Sequence, residues 1–208
     1  MKRLLPPFGH TEKGAANATE KTKGQWEIEH LGKISHAPYL TTLAACIAVE
    51  VNDLEATKVA AIETLGIPLG VALSIHLGVG IVVLRKGNDR RSSMEFTSES
   101  YRQEAGDDEK SGLETISLFR RSFSRFDRVL LVDDDSGDTG AQFLAAKTLI
   151  EKAGASVVAG IFLRISDRGK DALAGAGFAI FESEMVPPFS VVRPEKAPAA
   201  VKALEALS

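Results

Sequence analysis

Five short runs of almost unbroken apolar residues limit what this chain can become. They are KVAAIE (Lys58 to Glu63), GIVVLR (Gly80 to Arg85), RVLLVD (Arg128 to Asp133), SVVAGIFL (Ser156 to Leu163) and GFAIF (Gly177 to Phe181). A strand that is apolar on both faces must be covered on both. Helical stretches lie between the runs. PYLTTLAACIAVEV starts on Pro38, whose fixed φ suits a first helical turn. IPLGVALSIHLG follows Gly66, and TGAQFLAAKTLIEKAG closes on Gly154. Alternating strands and helices predict an α/β fold: a five-stranded, mostly parallel sheet with helices on both faces.

The chain has 208 residues, 44% hydrophobic and 25% charged, enough for one sizeable core. A net charge of −3 gives no basic surface for nucleic acid. No apolar run approaches the ~20 residues that a membrane span needs. The start, MKRLLPPF, does not read as a secretory signal. A single cysteine, Cys46, excludes a disulfide within the chain and a cysteine-based zinc site, and reads as a small apolar residue. His10, His30, His36 and His76 lack metal-ligand spacing, and His76, in an apolar helix, is expected to be partly buried. These features predict a cytoplasmic protein with no membrane partner. Residues 1–25 read as a mobile arm and 26–208 as one domain, closed by an amphipathic packing helix, PEKAPAAVKALEAL. Residues 86–127 join two core strands yet are polar, which suits a lid, with LETISLF as an extra strand inside it.

The stretch RVLLVDDDSGDTGAQ places three aspartates at the carboxyl end of a buried strand. In parallel sheets, ligands bind beyond those ends. The small residues that follow open a helix, whose first N–H groups can hold an anion. The loop therefore offers carboxylates first and a phosphate cradle second. A ribose 5-phosphate has that layout. VLLVDDD also suits the phosphoacceptor edge of a receiver domain. Such a domain has most of its fold after the acidic pair, whereas here about a third of the chain follows.

That stretch resembles the 5-phosphoribosyl pyrophosphate (PRPP) loop of the type I phosphoribosyltransferases. The resemblance implies that Asp138, Thr139, Gly140, Ala141 and Gln142 hold the 5′-phosphate. It also implies an acidic pair on the ribose hydroxyls, either Asp134 and Asp135 or Asp133 and Asp134. AIETLGIPLGVALSIHLGVGIVVLRKG (Ala61 to Gly87) is similar to the adenine branch of that family. There Thr64, Leu65 and Gly66 would meet pyrophosphate through the backbone, with Arg85 and Lys86 beside it. Leu65 stands where that branch usually carries arginine. SESYRQEAG (Ser98 to Gly106) resembles the catalytic lid, so Tyr101 would exclude water and Glu99 or Glu104 would take a proton from the base. Arg164 stands where the branch tends to be apolar and would face the base.

The resemblance implies a fold with a flexible lid and a small hood from the termini. It implies PRPP and a purine as substrates, adenine first and a 6-oxopurine second. Mg²⁺ would be held by Asp133 and Asp134, mainly through water. A homodimer is implied too. A PRPP- or nucleotide-binding regulator of the same fold is the alternative.

Overall fold

The computed structural model describes residues 32–87, 96–103, 112–119, 121–135, 139–182 and 189–194. The expected N-terminal arm, the closing helix, the tip of the lid and any hood from the termini lie outside the described residues. Helix α1 spans Ala37–Glu50 with Pro38 in its first turn. Strand β1 (Lys58–Ile62) leads into α2 (Gly66–Leu77), which ends at Gly78 with φ +67°. Strand β2 is Gly80–Lys86, β3 Phe96–Gln103, β4 Gly112–Phe119 and β5 Arg128–Val132. Helix α3 covers Ala141–Lys152 and β6 Ser156–Phe162. Helix α4 (Asp167–Gly175), β7 (Phe178–Glu182) and β8 (Ser190–Pro194) follow.

One eight-stranded sheet has the order β3-β4-β2-β1-β5-β6-β8-β7. Its centre, β2-β1-β5-β6, is parallel, and the outer pairings are antiparallel. The count of five strands is therefore corrected to eight. The additional strands are β3, β4 and β8, which lie outside the parallel core. Outer antiparallel strands need only one apolar face, so β3 and β4 lack continuous apolar runs, although β7, also an outer strand, has one. Residues 86–127, read as a lid, contain the β3–β4 hairpin, and LETISLF falls in β4. The hairpin packs against α3.

Alternation along the strands builds two cores. Val59, Leu130, Val132 and Ile161 face α1 and α2 with Leu43, Ile47, Leu69 and Leu73. Ala60, Ile62, Leu131 and Phe162 face the other way, with Phe143, Ala146 and Leu149 of α3. Phe143 makes edge-to-face contacts with Phe162 and Phe178, at centroid separations of 5.4 and 5.3 Å. Gly70 lets α2 lie flat on β1, since a Cβ there would stand 2.6 Å from that of Ala61. His76 lies on the outer side of α2 and is exposed, not partly buried as its apolar surroundings suggested. Among the described residues, no helix is long and apolar enough to cross a membrane.

At the amino end of the sheet, Asp127 ties three segments together. It accepts from the Ser124 N–H at 2.6 Å and from the Thr57 hydroxyl at 3.2 Å, and pairs with Lys58 at 3.1 Å. Burial alone would raise its carboxyl, but the Ser124 and Lys58 contacts more than offset that and hold it below the ordinary carboxylate value. A lowered folded-state pKa gives stability present above the unfolded value and lost as pH falls through the folded one. Asp127→Ala is expected to cost about 2 kcal/mol, on the scale of hydrogen bonds to a charged group. Thermal melts at pH 7 and pH 3 check this: the deficit should be large at pH 7 and shrink in acid.

Candidate active site

The chain leaves β1 through α2 to reach β2 on one side, and leaves β5 through α3 to reach β6 on the other. Strands β1 and β5 are neighbours, so their carboxyl ends flank the point where the sheet's winding reverses. In open α/β sheets this is where a crevice forms. Two loops meet there. The turn Glu63–Gly66 leaves β1, and the aspartate run leaves β5.

Gly66 fixes how closely they approach. A Cβ on it would lie 2.8 Å from the Val132 carbonyl oxygen and 3.1 Å from the Asp133 Cα, both backbone atoms with little room to move. Only glycine permits this contact. The Glu63 carboxylate accepts from the Lys86 N–H at 3.1 Å and so joins the turn to the end of β2. Arg85 and Lys86, the last residues of β2, therefore end next to the turn that begins at Glu63. The Glu63–Thr64 peptide bond is cis. Gly66→Ala should lower both stability, by about 1–3 kcal/mol, and ligand affinity. Gly70→Ala should lower stability alone. A melt and a binding titration on both variants would separate the two roles.

The three aspartates have different surroundings. Asp133 is only 2% exposed. Its Oδ1 accepts from the Asp134 N–H at 3.0 Å, and its Oδ2 from the Gln142 side-chain amide at 2.6 Å. Burial pushes its carboxyl well above the usual range, the neighbouring Asp134 adds to the rise, and Lys86 opposes it. Asp134 is partly exposed. Its carbonyl accepts from the Leu163 and Arg164 N–H groups at 3.1 and 3.0 Å. Asp135 pairs through Oδ2 with Arg164 Nη1 at 3.4 Å.

Helix α3 begins directly after the loop. Its N-cap is Gly140, with φ +64° and no side chain to cover the first turn. A Cβ there would press on Leu173 at 2.8 Å. The Thr139 hydroxyl accepts from the Ala141 N–H at 3.4 Å. Of the expected phosphate residues, Thr139, Gly140, Ala141 and Gln142 gather at the start of α3, while Asp138 lies outside the described residues. Gln142 reaches back to Asp133. Glu99 and Tyr101 lie on β3, opposite Ile116 and Glu114 of β4, and Glu104 lies outside the described residues.

Sequence reasoning missed the Asp133–Gln142 bond and the Asp135–Arg164 pair. The parallel register of β5 and β6 carries the signal that could have found the true pair: two strands ending side by side bring their following residues together. It also passed over α4, whose signature is Ser166 capping the Gly169 N–H at 3.0 Å.

No family model matches the chain. It is 34% identical over 127 residues to an adenine phosphoribosyltransferase of Idiomarina loihiensis, a match covering 60% of this chain and 67% of that one. It is 30% identical over 132 residues to a hypoxanthine/guanine phosphoribosyltransferase of Ferroglobus placidus, covering 64% and 65%. The chain thus spans about two thirds of the length of these curated relatives. The crystal structure of an adenine phosphoribosyltransferase from Thermoanaerobacter pseudethanolicus superposes with a TM-score of 0.58 at 27% identity, covering 68% of this chain and 78% of that one.

Proposed function

Because this chain belongs to the type I phosphoribosyltransferases, among the members that act on purines, we propose that it transfers the ribosyl 5-phosphate of PRPP to a purine nitrogen and releases pyrophosphate. Such a protein is a pentosyl-transferring glycosyltransferase. The observation that carries the reading is the junction at Gly66, where the turn after β1 lies against Val132 and Asp133. A ligand that must be gripped at a leaving group and at a sugar phosphate finds both grips around one crevice.

The reaction breaks the bond from the sugar's anomeric carbon to pyrophosphate ahead of the new bond, leaving positive charge on the ring. Asp134, at the open end of the run, stabilises that charge and orients a ribose hydroxyl, with Asp135 beside it. The start of α3, from Thr139 to Gln142, holds the 5′-phosphate. Arg85, Lys86 and the backbone of Thr64, Leu65 and Gly66 bind the departing pyrophosphate. The β3–β4 hairpin, with Tyr101, closes the crevice against water, and Glu99 takes the proton of the base. Arg164 faces the base.

The donor set fits Mg²⁺. It consists of hard carboxylate oxygens at the end of β5, the ligand type that Mg²⁺ takes. A cation held partly through its own waters suits that arrangement. Asp134 would hold it, with Asp133, whose two oxygens already accept hydrogen bonds, acting behind it. When bound, Mg²⁺ neutralises part of the pyrophosphate charge.

Two copies are proposed to associate through exposed apolar residues, Val71 and Ile75 of α2 and Ile81 and Val83 of β2. A sedimentation profile showing only monomer at assay concentration would remove this. The enzyme is proposed to act in the cytoplasm. The test of the central reading is calorimetric titration of PRPP with Mg²⁺, then a panel of purines with pyrophosphate release as readout. Release that needs both PRPP and a purine supports it. PRPP binding with no release on any purine favours a regulator, and no PRPP binding removes the reading.

A further inference from the structure

We propose that Gln142 is a positioning residue whose side chain, acting through Asp133, fixes the spacing between the cradle at the start of α3 and the grip at the turn after β1. PRPP, which carries a phosphate group at each end of one sugar, then gains the full advantage of having both ends joined. This deepens the transferase reading above and rests on it.

Asp133 stands between the two grips and touches both. On one side lies the turn after β1. A Cβ on Gly66 would meet the Asp133 Cα at 3.1 Å and its Oδ1 at 3.3 Å, so the turn rests on this residue directly. On the other side lies the first turn of α3, where the Gln142 side-chain amide donates to Oδ2 at 2.6 Å. Two further bonds hold Asp133 itself. Its Oδ1 accepts from the Asp134 N–H at 3.0 Å, and its own N–H donates to the Ile161 carbonyl at 3.0 Å. With both carboxyl oxygens engaged and 2% exposure, it acts as a fixed post.

Gln142 lies nine positions after Asp133, and a connection of that length allows several distances between strand end and helix. A hydrogen bond that closes the loop selects one of them. That matters for a two-ended ligand. Once one end is bound, the other binds at an effective concentration set by how well the spacing of the grips matches the molecule. A spacing that varies dilutes this advantage, and one fixed in advance preserves it. A lone sugar phosphate or a lone pyrophosphate does not sense the spacing, so the effect is confined to ligands that span both grips.

The test is calorimetric titration of ribose 5-phosphate, pyrophosphate and PRPP at one Mg²⁺ concentration. The product of the first two Kd values divided by the third is the effective concentration. A change that weakens one grip equally for the fragment and for PRPP cancels in it. The wild type should reach about millimolar or higher. Gln142→Met keeps the length of the side chain but cannot donate, and should lower the value about tenfold, the scale of one hydrogen bond to a carboxyl group. Asp133→Asn retains the bond, because a flipped Gln142 amide accepts from the asparagine NH₂, and should keep most of the wild-type value. Adding Gln142→Met to Asp133→Asn should lower it about tenfold again.

A wild-type value in folded Gln142→Met overturns the positioning role. If that variant does not fold, Gln142→Ala takes its place with the same expectation and the same overturning result. A fall in Asp133→Asn as large as that in Gln142→Met overturns the assignment of the effect to their hydrogen bond. No PRPP binding by the wild type removes the transferase reading itself, a distinct result.

Discussion

Thr139→Asp should remove PRPP binding from a calorimetric titration, with affinity falling about a thousandfold or more. Among the described residues, the start of α3 is the part of the proposed site that offers backbone N–H groups to the 5′-phosphate. Gly140 caps the helix without a side chain, and Thr139 lies beside it with its hydroxyl on the Ala141 N–H. An aspartate there would place a carboxylate beside a bound phosphate, a separation on the order of 4 Å. At an effective dielectric near 20, each pair of like charges at that distance costs about 4 kcal/mol, and about 1.4 kcal/mol corresponds to tenfold in affinity. The same carboxylate is favourable at a helix start when no ligand is present. The variant should therefore melt no lower than the wild type while failing to bind. Thr139→Ser keeps the hydroxyl and should bind nearly normally. Unchanged affinity in the aspartate variant would place the phosphate elsewhere.

The parallel centre was legible because burial on two faces leaves an unambiguous pattern. β1, β2, β5 and β6 fall within one residue of the apolar runs that announced them. The periphery was less legible for the same reason. FTSESYRQ forms β3 with few apolar residues, since an edge strand has only one face to bury. Helix α4 was passed over between two apolar runs, although Ser166 marks its start. At the site, the order of carboxylates and helix start was readable from one loop. The separate roles of the aspartates were not. They depend on Gln142, nine positions from Asp133, and on Arg164, 29 positions from Asp135. No local pattern links residues that only the β5–β6 register and the first turn of α3 bring together.

The fate of Asp133 leads to the second large effect. Asp133→Asn should make the protein more stable at neutral pH and far less active. The carboxyl is buried under Gly66, and burial followed by the charge of Asp134 raises its pKa well above the ordinary value despite Lys86 and the Asp134 N–H. In the unfolded chain it releases its proton near pH 4 (about 3.9). A raised folded-state pKa means stability that is fully present below the unfolded value and is lost as pH rises through the folded one, by up to about 1.4 kcal/mol per pH unit. Asparagine has no proton to lose. It can still accept from the Asp134 N–H, and a flipped Gln142 amide can accept from its own NH₂. Thermal melts of wild type and variant from pH 4 to pH 8 isolate this group, since other carboxylates such as Asp127 act alike in both proteins. The variant's advantage should grow with pH. Turnover should fall about a hundredfold, the scale of losing one preorganised electrostatic contact. A variant whose relative stability falls between pH 4 and pH 8 would show that Asp133 is held ionised by its surroundings, and its burial would then have to be offset by a cation in the folded protein.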